Sequence, residues 1–255
     1  MTEAAEEVSY AHEVTGSGPV LLLVPGGAGH PMGLGPFTER LARRFTVVTY
    51  DPLGLAHGRL GLPVPDQRPA DWADGAHQVL EKVLAPGESA YAFGISAGGV
   101  AVLELLSRHP ERLAHVVAHE PPCVLVLPDG QRRREEPIDQ LDGPGRPPAE
   151  GPSATPMGVF LAHVLRPFTA HLPSLGDSHL PSLGPSLGAS GGRLTLTAGS
   201  DSRGQLLYET AESLAERFGG ALVELPGGHL GTLDHPVEVA DLLTAMLLSS
   251  AHTSS

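Results

Sequence analysis

The sequence lacks several features that mark membrane and secreted proteins. Cys123 is the only cysteine, so no intrachain disulfide can form and nothing indicates an oxidising compartment. No apolar run approaches the roughly 20 residues that span a bilayer. The first seven residues are acidic and lack the apolar core of a secretory signal. These absences predict a cytoplasmic protein.

Positive charge is also scarce. The formal net charge is −13, and an acidic surface repels nucleic acid phosphates and anionic lipids. We therefore expect neither a nucleic acid nor a membrane partner. Lys82 is the single lysine among 16 basic residues, and the chain holds 32 glycines and 25 prolines. This bias indicates a GC-rich coding sequence.

The pattern of apolar residues predicts an α/β fold. The 255 residues suit one large domain, and short apolar runs alternate with segments of helical spacing. The predicted strands cover 8–14, 20–24, 45–50, 90–95, 113–118, 193–198 and 221–225. The predicted helices cover 33–44, 71–84, 97–108, 204–218 and 236–248. Such alternation predicts a mostly parallel sheet with helices on both faces.

Residues 121–192 interrupt this alternation, since they are rich in proline and glycine and show a helical pattern only at 157–168. We interpret the chain as a single domain, 1–255, with its core at 1–120 and 193–255 and a cap or lid at 121–192. The apolar residues of this insertion favour an apolar or bulky acyl substrate. The charged run at 132–136 is expected to be an exposed turn.

One motif carries nucleophile chemistry. Gly94-Ile95-Ser96-Ala97-Gly98 lies between a predicted strand and a predicted helix, the context in which Gly-x-Ser-x-Gly forms a sharp turn that exposes the serine. Small neighbours permit the tight turn, and the helix N-terminus directs backbone N–H groups at the reaction centre. The motif predicts Ser96 as a nucleophile; the alternative is a serine that caps a helix.

In this context the chain resembles the α/β-hydrolase family. The resemblance covers nearly the whole chain except 121–192, and the run Arg-His-Pro-Glu-Arg-Leu at 108–113 is similar to that of small bacterial hydrolases. It implies the α/β-hydrolase fold, with a serine, an acid and a histidine in that order along the chain. It also implies that His229, in the loop after the last predicted strand, is the catalytic base.

Two carboxylates compete for the role of the triad acid, which orients the histidine. Asp201 follows the predicted strand 193–198 and fits the order of the family, so we predict Asp201. As an alternative, Asp201 is a turn residue or a helix cap. Glu120, at the end of the strand 113–118, is the rival acid, because some family members supply the acid from that strand.

The oxyanion hole is expected to use two backbone amides. Ala97 follows the nucleophile, and Gly27 or Ala28 belongs to the glycine-rich loop after the strand 20–24. That loop lacks the third glycine of a dinucleotide fingerprint, so no cofactor is expected.

No metal is expected either. His115 and His119 are four residues apart on a predicted strand, which separates them by about 13 Å. No Cys/His cluster has the spacing of a zinc site.

The sequence therefore predicts a serine hydrolase that cleaves an ester, thioester or lactone. A serine in the turn argues against epoxide or haloalkane chemistry, for which the resemblance would require an aspartate. Two alternatives stay open at this point. The first is a cyclase, lyase or acyl transferase of a natural-product pathway, and the second is a ligand-binding protein without catalysis.

Overall fold

A seven-stranded sheet forms the centre of the molecule. The computed structural model describes residues 10–141, 154–173, 192–220 and 222–250. The strands are β1 (Ala11–Gly16), β2 (Val20–Val24), β3 (Thr46–Asp51), β4 (Ala90–Ile95), β5 (Leu113–His119), β6 (Leu194–Gly199) and β7 (Leu222–Leu225). Their order is β1-β3-β2-β4-β5-β6-β7, with β1 antiparallel to β3 and all other pairs parallel. The predicted α/β fold is confirmed.

Helices cover both faces of this sheet. They are α1 (Gly35–Leu41), α2 (Pro69–Val83), α3 (Ala97–Arg108), α4 (Gly130–Leu141), α5 (Pro156–Val159), α6 (Leu165–Thr169), α7 (Leu206–Arg217), α8 (Gly231–Asp234) and α9 (Pro236–Ser250). Buried side chains of α1 and α9 pack on one face, and those of α2, α3 and α7 on the other. Central strands are consequently apolar throughout, which explains their continuous hydrophobic runs.

The predicted elements are present, with shifted ends. The first strand begins at Ala11, and residues 8 and 9 of the predicted strand lie outside the described residues. β5 extends one residue further than predicted, to His119. The short α8 was not predicted. None of the described helices combines the length and the apolar character that a membrane span requires.

The insertion contains more helix than its composition indicates. The charged run at 132–136 belongs to α4, so the prediction of an exposed turn is wrong. The guanidinium of Arg133 forms an ion pair with the carboxylate of Glu209 on α7, with an N–O distance of 2.6 Å. The guanidinium of Arg134 donates to the carbonyl oxygen of Arg166 at 3.0 Å. The sequence of α4 lacks an apolar stripe, so its hydrophobic periodicity could not reveal a helix that tertiary polar contacts hold in place.

The second part of the insertion packs against the core. The predicted helical segment 157–168 is present as α5, a single π-type turn at Phe160–Val164, and α6. The ring of Phe168 packs edge to face on the ring of Trp72 in α2, with the ring centroids 4.7 Å apart. The backbone amide of Gln67 donates to the carbonyl oxygen of His163 at 2.9 Å. These contacts fix α6 against α2.

Close packing between β2 and α3 demands a glycine at position 98. A Cβ atom there would lie 2.0 Å from the carbonyl oxygen of Val24. We expect Gly98→Ala to reduce the free energy of unfolding by about 3 kcal/mol or more, since backbone atoms must move to admit the methyl group. Gly35→Ala is the matched control, because its methyl group would meet nothing within 4 Å. Urea unfolding of both variants tests this, and equal stabilities would contradict it.

Candidate active site

The carboxyl ends of four neighbouring strands bring the candidate residues together. Ser96, Glu120, Asp201 and His229 follow β4, β5, β6 and β7 respectively. Backbone hydrogen bonds of 2.9 Å continue the sheet beyond the strand ends. The amides of Ser96, Glu120 and Asp201 donate to the carbonyl oxygens of His119, Thr197 and Gly227 respectively. This edge is where open α/β sheets bind ligands.

Ser96 occupies a backbone conformation that few residues other than glycine adopt. Its φ is 53° and its ψ is −119°, and α3 begins at the next residue. Such a conformation costs free energy and persists only where the surrounding fold enforces it. The serine is partly exposed, whereas Ala97 beside it is buried. This is the sharp strand-to-helix turn that the motif predicts.

The glycine-rich loop after β2 lies against this serine. A Cβ atom on Gly26 would lie 3.2 Å from the Cβ of Ser96, so the loop backbone approaches the side chain closely. The amide of Gly29 donates to the carbonyl oxygen of Gly26 at 3.0 Å, which closes a turn that contains Gly27 and Ala28. The predicted oxyanion residues therefore lie in a turn beside the serine, and Ala97 lies at the first position of α3.

His229 is hydrogen-bonded to Glu120. Its Nδ1 donates to Oε2 of Glu120 at 2.7 Å, while Oε1 accepts from the amide of Gly199 at 2.9 Å. The Glu120 side chain is buried, and His229 is about a third exposed. Burial by itself raises the pKa of Glu120, but the hydrogen bonds from His229 and Gly199 outweigh it and lower the pKa overall. The carboxylate is therefore ionised at neutral pH, and it fixes which imidazole nitrogen carries the proton.

Asp201 does not contact His229 in this way, and the predicted pairing of these two residues is corrected. The Asp201 side chain is exposed, and its Oδ1 accepts from the hydroxyl of Ser200 at 3.2 Å. Its backbone carbonyl accepts from Gln205 at 3.0 Å. These are contacts of a turn residue, which was the alternative interpretation. Of the two rival carboxylates, the structure joins Glu120 to the histidine.

The sequence did not indicate that His119 packs beside His229 and Glu120. His119 is 1% exposed, and its Nδ1 lies 3.1 Å from Oγ1 of Thr197 on β6. Its ring lies nearly parallel to that of His229, with centroids 6.4 Å apart. Burial lowers the pKa of His119 to about 4, so the ring is neutral beside the Glu120 carboxylate. A polar residue that ends an apolar strand was the available signal.

No three metal-ligating side chains converge here among the residues that the structure describes. His115 and His119 are hydrogen-bonded to different threonines of β6, Thr195 and Thr197, so they do not share a site. The one group within the described chain that could hold an ion lies at the far end of α3. The chemistry available at the strand ends is that of a serine, an oriented imidazole and backbone amides.

Comparison with known proteins agrees with this architecture. Residues 21–242 match the alpha/beta hydrolase family. The chain belongs to this family. A curated relative of this alpha/beta hydrolase, described as the uncharacterized hydrolase YraK of Bacillus subtilis, is 36% identical over 125 residues. That match covers 49% of this chain and 45% of the relative, so the chain spans a little under half the length of that protein.

Solved structures also share the fold of this alpha/beta hydrolase. A thermophilic esterase from Thermogutta terrifontis, solved with malate bound, superimposes with a TM-score of 0.65 at 20% identity, over 94% of this chain and 93% of that one. The carboxylesterase CesB of Bacillus subtilis gives a TM-score of 0.54 at 20% identity, over 92% and 86% of the two chains. Similarity at this level of identity shows the fold.

Two buried histidines predict a pH dependence of stability. Burial lowers the pKa of His115 and His119 from 6.5 to about 4. Below pH 6.5 these histidines bind protons in the unfolded chain but not in the folded chain. Their contribution to the free energy of unfolding is therefore complete above pH 6.5 and is lost as the pH drops towards 4. Each histidine should contribute a slope of roughly 1.4 kcal/mol per pH unit in this window.

Urea unfolding at several pH values measures this slope. His115→Gln and His119→Gln should each remove part of it, because glutamine does not titrate. A slope that is unchanged in both variants would show that these rings protonate as easily in the folded chain as in the unfolded one.

Proposed function

We propose that this alpha/beta hydrolase is a serine hydrolase in which Ser96 is the nucleophile, His229 the base and Glu120 the acid that orients the base. The observation that carries the proposal is the hydrogen bond from His229 to a buried, ionised Glu120, at the same sheet edge as the strained serine. A hydroxyl is a poor nucleophile at its ordinary pKa and needs a base of this kind.

The reaction follows from these groups. Nδ1 of His229 donates to Glu120, so Nε2 carries the lone pair and accepts the proton of the Ser96 hydroxyl while Oγ attacks the substrate carbonyl. The imidazolium that forms is stabilised by the Glu120 carboxylate and returns its proton to the leaving group. Water then hydrolyses the acyl-enzyme with His229 again as the base.

The amides of Ala97 and of Gly27 or Ala28 are the proposed oxyanion donors. Ala97 is the first residue of α3, where helix N–H groups have no partner within the helix. The turn that holds Gly27 and Ala28 lies beside Ser96 through the contact at Gly26. Donors fixed by the fold need no reorganisation as negative charge develops on the substrate oxygen.

Apolar side chains around the site favour an acyl substrate with an apolar chain. Leu230 follows His229 and is 55% exposed, and Met32, in the chain after the glycine-rich loop, is 60% exposed. Leu233 is 39% exposed and approaches Gly33, where a Cβ atom would lie 3.2 Å from it. Apolar surface of this kind gains free energy when a substrate covers it. An ester, thioester or lactone with such a chain is the proposed substrate class, and two solved proteins with this fold are an esterase and a carboxylesterase.

Labelling with a small fluorophosphonate tests the proposed nucleophile. We expect one covalent adduct on the intact protein by mass spectrometry and none on Ser96→Ala, because only an activated serine reacts. Hydrolysis of p-nitrophenyl esters should fall by about 10⁶-fold in kcat in the same variant. Absence of an adduct on the wild-type protein, together with absence of ester, thioester and lactone hydrolysis, would refute the proposal.

A comparison of two carboxylate variants tests the proposed acid. Glu120→Gln preserves the shape of the side chain but removes the charge that stabilises imidazolium, so kcat should fall by about 10³- to 10⁴-fold. Asp201→Asn is the matched control, and kcat should stay close to the wild-type value because Asp201 is exposed and bound to Ser200. A large loss of kcat in Asp201→Asn alone would contradict the proposal and indicate that Asp201 is the triad acid.

A further inference from the structure

Two histidines and a glutamate converge at the far end of α3. His77 lies on α2, His109 follows α3, and Glu111 lies in the 3-10 turn Pro110–Arg112. One ligand atom of each side chain lies within 4.8 Å of the others. The three residues come from two separate parts of the chain, and none of them takes part in the proposed hydrolysis.

The imidazoles of this group are in an unusual arrangement. The rings of His77 and His109 stack with centroids 3.8 Å apart and an interplanar angle of 5°. Nδ1 of His77 is buried without a hydrogen-bond partner among the described residues. A buried polar nitrogen with no partner costs free energy. An imidazole nitrogen without a hydrogen-bond partner can ligate a metal ion.

The surrounding charges leave the group able to accept a cation. Nε2 of His109 lies 3.0 Å from Asp74, which orients the ring and leaves Nδ1 as its ligand atom. Two arginines lie close by, but each is already in an ion pair. Arg108 binds Asp74 at 2.8 Å, and Arg112 binds Glu81 at 2.5 Å. Glu111 supplies the negative charge of the group.

We propose that His77, His109 and Glu111 form a binding site for Zn²⁺. Two imidazole nitrogens and one carboxylate, with water at the fourth position, form a ligand set that zinc accepts in tetrahedral geometry. Lone pairs of stacked rings run parallel, so one ring must turn about its Cβ–Cγ bond to meet the ion. His77 is the ring that turns, because Asp74 holds His109.

This site is separate from the proposed catalytic one and does not depend on it. The 12 residues of α3 span about 18 Å between Ser96 and His109. A bound ion would join α2 to the turn between α3 and β5, and it would stabilise the folded chain because the unfolded chain does not preassemble the ligands. The proposed role is a structural crosslink.

Calorimetric titration of untagged, chelator-treated protein with zinc chloride tests the site. The wild-type protein should bind one Zn²⁺ here, and its melting temperature should rise with zinc concentration. His77→Gln and Glu111→Gln should each weaken this binding by at least about tenfold, since losing even an outer partner of a metal costs about 10- to 100-fold. Glu111 is exposed, so its variant should fold even if His77→Gln does not.

His12→Gln is the matched control, because it removes a partly buried histidine that lies on β1, outside the group. This variant should bind zinc and respond in melting temperature as the wild-type protein does. Absence of stoichiometric binding in the wild-type protein overturns the proposal, as does undiminished binding in Glu111→Gln. Ester hydrolysis by His77→Gln should be unchanged, which separates this result from any failure of the proposed function.

Discussion

A buried carboxylate at the end of β5 determines how the catalytic edge of this molecule is arranged. Glu120 has no access to water, so its charge must be met by donors from the protein. The donors are the imidazole of His229 and the amide of Gly199, which belong to two other segments of the chain. Meeting this one charge therefore fixes the loop after β7 relative to the end of β6.

The backbone around this carboxylate is shaped to bring the segments close. Glu120 has a φ of 42°, an uncommon value for a residue with a side chain. A Cβ atom on Gly199 would lie 2.4 Å from the carbonyl oxygen of Gly227, so only glycine permits the approach of the loop that carries His229. Ser96 and Glu120, two of the three described non-glycine residues with positive φ, both lie at the edge where function is proposed.

The order of strands and helices could be predicted from the sequence because apolar runs and helical spacing are local signals. Ser96 was predictable for the same reason, since its motif is short and its context is adjacent. The choice between Glu120 and Asp201 was not, because both follow a strand and only the backbone conformation decides which side chain turns towards His229. Helix α4 could not be predicted from the sequence either, because it lacks an apolar stripe.

The convergence of His77 with His109 is a similar case. The two residues are brought together by the packing of α2 on α3, and nothing in the spacing of ligands along the chain indicates this. Sequence motifs for metal sites assume ligands that are close together in the chain. A group assembled by tertiary contacts between a helix and a distant turn is visible only in the folded molecule.

The antiparallel strand β1 is the edge of the sheet and covers β3. β1 is mostly exposed, whereas β3, which it covers, is buried from Val47 to Asp51. A shortened chain that begins after Gly16 would leave β3 as an apolar strand with a row of unpaired backbone groups at its edge. Such an edge is a template for aggregation. The six residues of β1 thus replace a buried, largely apolar edge with an exposed one that carries His12 and Glu13, which is a weaker template for association.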